Sequence, residues 1–347
     1  MRRTLALASA LVLVLALAPA AASGKASAAA TGLQAVGPRF GLVTDGSPVT
    51  DRGYGQYTWA GVQARAKALH GTAEAVVPAP NEASYAWAIE RFAQRDFDVI
   101  VTVGFLMADV TRVKALAHPD LQFLGVDQSV PAAGAPPNYQ RLVFDEAEAG
   151  YLAGIVAASM SKTGTIGAVG GMQAIPAVLA YINGYRNGAR SVKPAITVLV
   201  TYTEDFARPD LGYDQATDMI KSHHADVVFG VAGRTGVGVF AAACDAKTWA
   251  IGVDVDAYLA EPTLRSCILT SAEKRVGRAT SLAIQRFVDA GLQGGSYVND
   301  ASNGGIGVAP IRNAGALRGL PAALKVALAG LANGSINPCA PTACTTP

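Results

Sequence analysis

The sequence predicts an α/β protein of two doubly wound lobes joined by a three-segment hinge, and three observations carry that prediction. One unit occurs twice. Residues 225–257, ADVVFGVAGRTGVGVFAAACDAKTWAIGVDVDA, run from an apolar strand through a Gly-rich turn and a helix into a second apolar strand; residues 97–129, FDVIVTVGFLMADVTRVKALAHPDLQFLGVDQS, follow the same plan. Asp98 matches Asp226, and Gly125-Val-Asp127 matches Gly252-Val-Asp254. Around both copies strands and helices alternate, the pattern of a mostly parallel sheet. Finally, extended stretches at 139–144 and 264–270, with a return after the following helix, give three crossings between the halves. Each copy ends in a carboxylate at a strand's C-terminal tip, the edge where open α/β sheets bind ligands.

The elements follow in order. A short apolar strand, 39–44, enters a turn-rich loop and a helix over 57–69. A strand at 73–78 precedes a helix over 84–95, whose apolar residues Tyr85, Ile89 and Phe92 recur at helical spacing. Strand 99–103, helix 107–117 and strand 123–127 complete the first copy. PAAGAPP at 131–137 breaks the alternation before the crossing segment 139–144, and Asp145 or Glu146 starts a long helix to about 161. Strands at 164–169, 195–200, 226–231 and 248–253 then alternate with helices at 176–191, 209–222 and 235–246. Pro176 and Pro209 suit first-turn positions. The crossing at 264–270 leads to a helix over 274–290, short strands at 297–299 and 306–308, and a last helix over 320–331. The lobes are therefore placed at 37–141 plus 265–292 and at 142–264 plus 293–334, with a tail at 335–347 that carries no fold information.

Composition bounds the function. At 347 residues, 51% hydrophobic and 16% charged, the chain can fill two cores. Arg2 and Arg3, an apolar run to Ala18 and the small residues that follow read as a secretory signal peptide over 1–22, with a disordered Ala-rich leader at 23–36. Its removal takes two arginines and brings the formal charge from +2 to zero, so no electrostatic argument favours nucleic acid or an anionic membrane. The four cysteines, Cys244, Cys267, Cys339 and Cys344, can pair outside the cytoplasm, with connectivity open.

No phosphate-binding P-loop, nucleophile elbow or zincin motif is present, and His70, His118, His223 and His224 all fall near helix ends. No catalytic residue, metal site or cofactor is expected. Gly236-Val-Gly238-Val-Phe-Ala241 fits the dinucleotide pattern G-x-G-x-x-A, but a tight strand-to-helix turn is the better account of it in the second half of an exported chain with no other cofactor signal.

The loop TDGSPVTDRGYGQYTWAG resembles that of the basic membrane protein family, the purine nucleoside receptors of ABC importers, where TD-x-G and an acid precede Ser-Phe-Asn-Gln, an aromatic and Gly. Asp45-Gly46, Asp51, Gly53-Tyr54-Gly55-Gln56, Trp59 and Gly61 occupy those places. Glu148–Gly154, Gly170-Gly-Met172 with Pro176, Gly184-Tyr185, Gly188-Ala189, Asp205-Phe206 with Pro209, Ala232-Gly233, Asp254-Val-Asp256 and Thr270-Ser271 with Lys274-Arg275 extend the likeness over most of the chain. The resemblance implies two Rossmann-like lobes joined by a three-segment hinge, the type I periplasmic binding protein fold. It also implies a monomeric, non-enzymatic, periplasmic or extracellular protein that delivers a small neutral ligand, a purine nucleoside first, to a membrane ABC permease.

Carried over by position, Phe206 would stack on the base with Tyr54 or Phe105 opposite. Asp127 would accept from base or sugar; Asp254 and Lys274, paired with each other, would hold ribose hydroxyls beside the Gly233 backbone. Asp45, Asp51 and Gln56 complete the ligand-binding set. The competing structural roles are helix capping for Asp127 and Asp254, loop packing for Phe206, core positions for Tyr54, Phe105 and Trp59, and a solvated first-turn position for Lys274. Two departures stand out. The loop Asn of the family is Gly55 here, which widens the candidate ligands to riboflavin or sugars; a sensor without transport and a nucleoside hydrolase are the other readings. No Cys precedes Cys244, so the lipid anchor common in the family is not expected and a soluble product is.

Overall fold

The computed structural model describes residues 37–131, 134–312 and 319–344. The expected signal peptide, the leader and the last three tail residues lie outside them.

Two six-stranded sheets form the frame. The first contains β1 (Arg39–Val43), β2 (Thr72–Val76), β3 (Val99–Val103), β4 (Gln122–Val126), β5 (Tyr139–Phe144) and β11 (Gly295–Asn299), in the order β11-β5-β4-β3-β1-β2, all parallel. The second contains β6 (Thr165–Gly170), β7 (Thr197–Tyr202), β8 (Val227–Val231), β9 (Trp249–Asp254), β10 (Ile268–Lys274) and β12 (Ile306–Val308), in the equivalent order β12-β10-β9-β8-β6-β7. Among the described residues only β12 runs antiparallel. The helices are α1 (Tyr54–Ala68), α2 (Glu82–Ala93), α3 (Ala108–Ala117), α4 (Glu146–Met160), α5 (Pro176–Val192), α6 (Pro209–Lys221), α7 (Thr235–Asp245), α8 (Ala257–Ala260), α9 (Val276–Ala290) and α10 (Leu320–Ala332).

Local chemistry sets several of these boundaries. Asn81 caps α2 by accepting the Ser84 amide at 3.0 Å, and Asp145 caps α4 through the Glu148 amide at 3.3 Å. Pro176 and Pro209 open α5 and α6. The repeated acids do a similar job in both lobes: Asp98 accepts the Arg39 amide at the start of β1, and Asp226 accepts the Lys162 and Thr163 amides just before β6.

Helices α2 and α3 close one face of the first sheet around Ile89, Phe92, Ile100 and Phe123. Helices α6 and α7 close the matching face of the second around Met219, Val228 and Phe240. The other faces share one continuous apolar cluster that runs from β1, α1 and α9 through α4 and α5 to α10. Helices α4 and α5 meet backbone to backbone: a Cβ at Gly154 would overlap the Tyr185 carbonyl and one at Gly188 the Tyr151 carbonyl. The Gly-rich stretch of α7 serves α6 in the same way, since a Cβ on Gly238 would overlap the Pro209 carbonyl. Gly238 is therefore spent on helix packing, whereas Gly236 lies against Gly230 of β8.

The sheets correct the expected lobe boundaries. The sequence reading puts residues 265–292 in the first lobe, yet β10 pairs with β9 in the second sheet, and the chain crosses only after Lys274, into α9. The same reading puts residues 293–334 in the second lobe, yet β11 pairs with β5 in the first sheet, and the return follows Asn299. The first crossing falls after Phe144, three residues beyond the expected boundary at 141. The tail also has structure. Disulfides join Cys244 to Cys267 and Cys339 to Cys344. Asn187 on α5 donates to the carbonyls of Pro338 and Thr342 at 2.8 and 2.9 Å, docking the tail on the second lobe. Among the described residues no helix is long and apolar enough to cross a membrane.

Candidate functional site

Asp127 and Asp254 stand at the C-terminal tips of β4 and β9, and both have left-handed backbones, with φ of 59° and 65°. That conformation is uncommon outside glycine and tolerated best by Asn and Asp. It occurs at the same place in both lobes, so it belongs to the duplicated design. Each acid also receives a tyrosine from its own lobe. Tyr54, first residue of α1, donates its hydroxyl to Asp127 Oδ2 at 3.1 Å; Tyr181 on α5 donates to Asp254 Oδ1 at 3.1 Å, and 73 residues separate the partners in both pairs.

Lys274 breaks the symmetry. It ends β10, immediately before the second crossing, and its side chain is 2% exposed. Nζ lies 2.9 Å from Asp127 Oδ1 and 2.7 Å from Glu146 Oε1, with the rings of Tyr54, Phe144 and Tyr181 at 5.5–5.7 Å. Burial works against its charge, but Asp127 and Glu146 outweigh burial and hold the ammonium well above the ordinary lysine range. One ammonium faces three carboxylates, so negative charge is in excess. Burial, with Asp127 adding to it, pushes Asp254 up to about 6 against the pull of Lys274 and Tyr181. Burial likewise raises Glu146 despite its lysine contact, and it drives both tyrosine hydroxyls well above their ordinary value, so they remain donors.

The expected Lys274–Asp254 pair is therefore replaced by Lys274 with Asp127 and Glu146, while Asp254 takes its hydrogen bond from Tyr181. The solvated alternative for Lys274 is excluded by its burial. Asp45 lies at the tip of β1, where Oδ1 accepts from the Ser47 amide and hydroxyl; a Cβ on Gly104, at the tip of β3, would come within 2.6 Å of its Oδ2. Phe206 sits at the tips of β6 and β8, its ring against Gly171 and its carbonyl accepting the Thr235 amide beside Gly233. Phe105, 43% exposed, forms a single turn after β3. Trp59 is half-buried against the main core.

Two expected ligand residues carry structural work in the loop before α1. Asp51 gives Oδ1 to the amides of Gly53 and Gln56 and Oδ2 to that of Gly55, at 2.7–3.0 Å, capping α1. Gln56 is exposed, and its Oε1 accepts the Arg52 amide at 3.1 Å. The same geometry explains Gly55. A Cβ there would sit 2.7 Å from the Pro48 carbonyl and 3.1 Å from Asp51 Oδ2, so the tightly wound loop has no room for the family's Asn.

Tyr181 and Glu146 were missed. Tyr181 could have been found by aligning the two halves on their acids, which sets it against Tyr54; Glu146 carried only a helix-start signal. The four histidines lie away from this cluster; His118, for one, contacts Glu90 on α2. Among the described residues no group of three or more His, Cys, Asp or Glu could hold a metal ion.

Comparison with known proteins agrees with this architecture. A family model described as ABC transporter substrate-binding protein, PnrA-like, matches residues 40–317. An ABC transporter nucleoside-binding protein of Lactococcus lactis is 31% identical over 284 residues, covering 76% of this chain and 79% of its own. Basic membrane protein A of Borreliella burgdorferi is 30% identical over 280 residues, 80% of each chain. Among solved structures, solute-binding proteins of Aeropyrum pernix and Conexibacter woesei superpose with TM-scores of 0.73 and 0.74 at 22% and 23% identity, each over 86% of this chain and over 92% and 98% of theirs. These last two likenesses establish the fold.

Proposed function

The chain belongs to the PnrA-like family of ABC transporter substrate-binding proteins, and from that premise we propose that it captures a purine nucleoside between its lobes and delivers it to a membrane permease without chemical change. The observation that carries the ligand class is the surplus of acceptors: one lysine against the carboxylates of Asp127, Asp254 and Glu146. A neutral ligand rich in hydroxyl donors complements that surplus, whereas an anion would add to it. Asp127 already serves Tyr54 and Lys274, so Asp254, with one donor, is the freer acceptor for ribose hydroxyls. Phe206 supplies a stacking face, with Tyr54 or Phe105 opposite, and the Gly233 backbone and Lys274 complete the contacts. Each unmet buried polar group would cost about 1–3 kcal/mol, so a ligand lacking the hydroxyls is rejected more strongly than one with a different base. The N-terminal sequence supports export, and release or retention outside the inner membrane places the protein where an importer needs it.

A thermal-shift screen of adenosine, guanosine and inosine against free bases, riboflavin and pentoses tests the proposal. Ligand at a hundredfold over its dissociation constant stabilises by about 2.7 kcal/mol. A shift with riboflavin or pentoses and none with nucleosides overturns the nucleoside assignment. Free base and ribose appearing in the same incubations overturns the non-enzymatic one.

A further inference from the structure

Asp51 and Gln56 are both invested in one loop. The three amides held by the Asp51 carboxylate, the Asp51 amide on the Pro48 carbonyl at 3.0 Å and the Gln56 amide oxygen on the Arg52 amide fix residues 48–56 tightly. At its apex Arg52 is held at a φ of 59°, a left-handed backbone that a non-glycine residue keeps only when its surroundings impose it. The result aims the Arg52 side chain out of the first lobe and onto the second. Its guanidinium donates to the Ala260 carbonyl, the last residue of α8, at 3.4 Å and stands 3.8 Å from the Glu261 carboxylate. Ala260 and Glu261 lie between β9 and β10, both strands of the second sheet. A cavity of about 380 Å³, lined by Pro48, Thr50, Asp51, Arg52, Arg234 and Glu261, surrounds this contact.

We infer that Arg52 is a latch across the mouth of the cleft: it holds the lobes shut through Glu261 and the end of α8, and so sets the rate at which a bound ligand leaves. Three features favour a latch over a permanent strut. The two side chains are 57% and 16% exposed, the ion pair is long, and the contact lies beyond the shared apolar cluster, so it can open without exposing core. Arg52 is a positioning residue, and none of its contacts lies within the Tyr54–Asp127–Lys274 group. The inference rests on the lobe-closure part of the proposed function and not on the identity of the ligand.

The test uses the whole protein with one dye on each lobe. Stopped-flow dissociation of adenosine is measured for wild type, Arg52→Ala, Arg52→Glu, Glu261→Arg and the combined Arg52→Glu with Glu261→Arg. For a partly exposed pair, Arg52→Ala should raise the dissociation rate about two- to fivefold with little change in association. Arg52→Glu should raise it further, the charge-swapped double variant should return to within about twofold of wild type, and raised salt should shrink all the differences. Unchanged dissociation in Arg52→Glu, or no rescue by the swap, overturns the latch. If wild type binds no adenosine, the nucleoside reading fails separately and the interlobe distance of the ligand-free protein decides the latch. Arg52→Glu must shift that distribution toward open and the double variant must restore it; an unmoved distribution overturns the inference.

Discussion

Asp254→Asn should stabilise the ligand-free protein while abolishing tight nucleoside binding. The carboxyl is held at about 6, against an ordinary value of 3.8, because burial and Asp127 oppose its charge more than Lys274 and Tyr181 support it. A shift of that size corresponds to about 3 kcal/mol at most. Asp254 retains some exposed surface, so about 1–3 kcal/mol is the working range. A raised acid binds its proton more tightly in the folded state than in the unfolded chain. Its contribution is thus fully present below pH about 4 and is lost as pH climbs through about 6. Asparagine keeps an acceptor for the Tyr181 hydroxyl and cannot ionise, so it escapes that loss. Urea unfolding of ligand-free wild type and variant between pH 4 and 8 measures the difference: near zero at the acid end, growing through the window, flat above it with the variant more stable. Calorimetry with adenosine should show the opposite order, and wild-type affinity should fall as pH drops below about 6. A stability difference independent of pH, or a variant less stable at pH 7, would refute the excess-charge account of the cluster.

Other outcomes follow from the same geometry. Burial first, then Asp145 and Asp300, lifts Glu148 to about 7 even though the Ala301 amide donates to it at 2.7 Å across the third crossing. Its carboxyl carbon should titrate near neutrality by NMR, and the stability it contributes should be lost as pH rises from about 4.5 through 7, a dependence that Glu148→Gln removes. Phe206→Ala should weaken all purine nucleosides about equally, by roughly 1–3 kcal/mol in calorimetry, because stacking reads no particular base; loss confined to one base would contradict the stacking role. Gly55→Asn, which restores the family's residue, should destabilise by about 1–3 kcal/mol in urea, since its Cβ would meet the Pro48 carbonyl at 2.7 Å; an unchanged midpoint would show that the loop yields.

The repeat made the acids legible. Two matching strand ends, each closed by Gly-Val-Asp, were enough to place Asp127 and Asp254 at sheet tips, because an apolar run bounded by a turn reads as a buried strand. The second crossing was misplaced for a physical reason: an extended apolar stretch looks alike whether it pairs in a sheet or passes between two, and only the pairing of β10 with β9 distinguishes them. Asp51 illustrates a different limit. A carboxylate spends its acceptors on ligand hydroxyls or on the amides of a helix start with the same chemistry, and the choice lies in backbone geometry that composition does not encode. Tyr181 was hidden because it falls on the buried stripe of α5, where an aromatic needs no further explanation.

The duplication also explains why the charge cluster lies where the lobes join. Each lobe contributes the same Tyr–Asp pair, but the groups that differ, Glu146 and Lys274, are the residues just after the first crossing and at the end of β10 before the second. Asp127, Lys274 and Glu146 therefore fasten a first-lobe strand tip to two hinge segments by contacts of 2.7–2.9 Å. A ligand that engages Asp127 or Lys274 must perturb the hinge as it binds, whereas one held by Asp254 alone need not. In the proposed site, closure is then coupled to occupancy through the charge triad, whereas Phe206, beside Gly171 and Gly233 at strand tips of the second sheet, would supply affinity without that coupling; Tyr54, which donates to Asp127, would share in it.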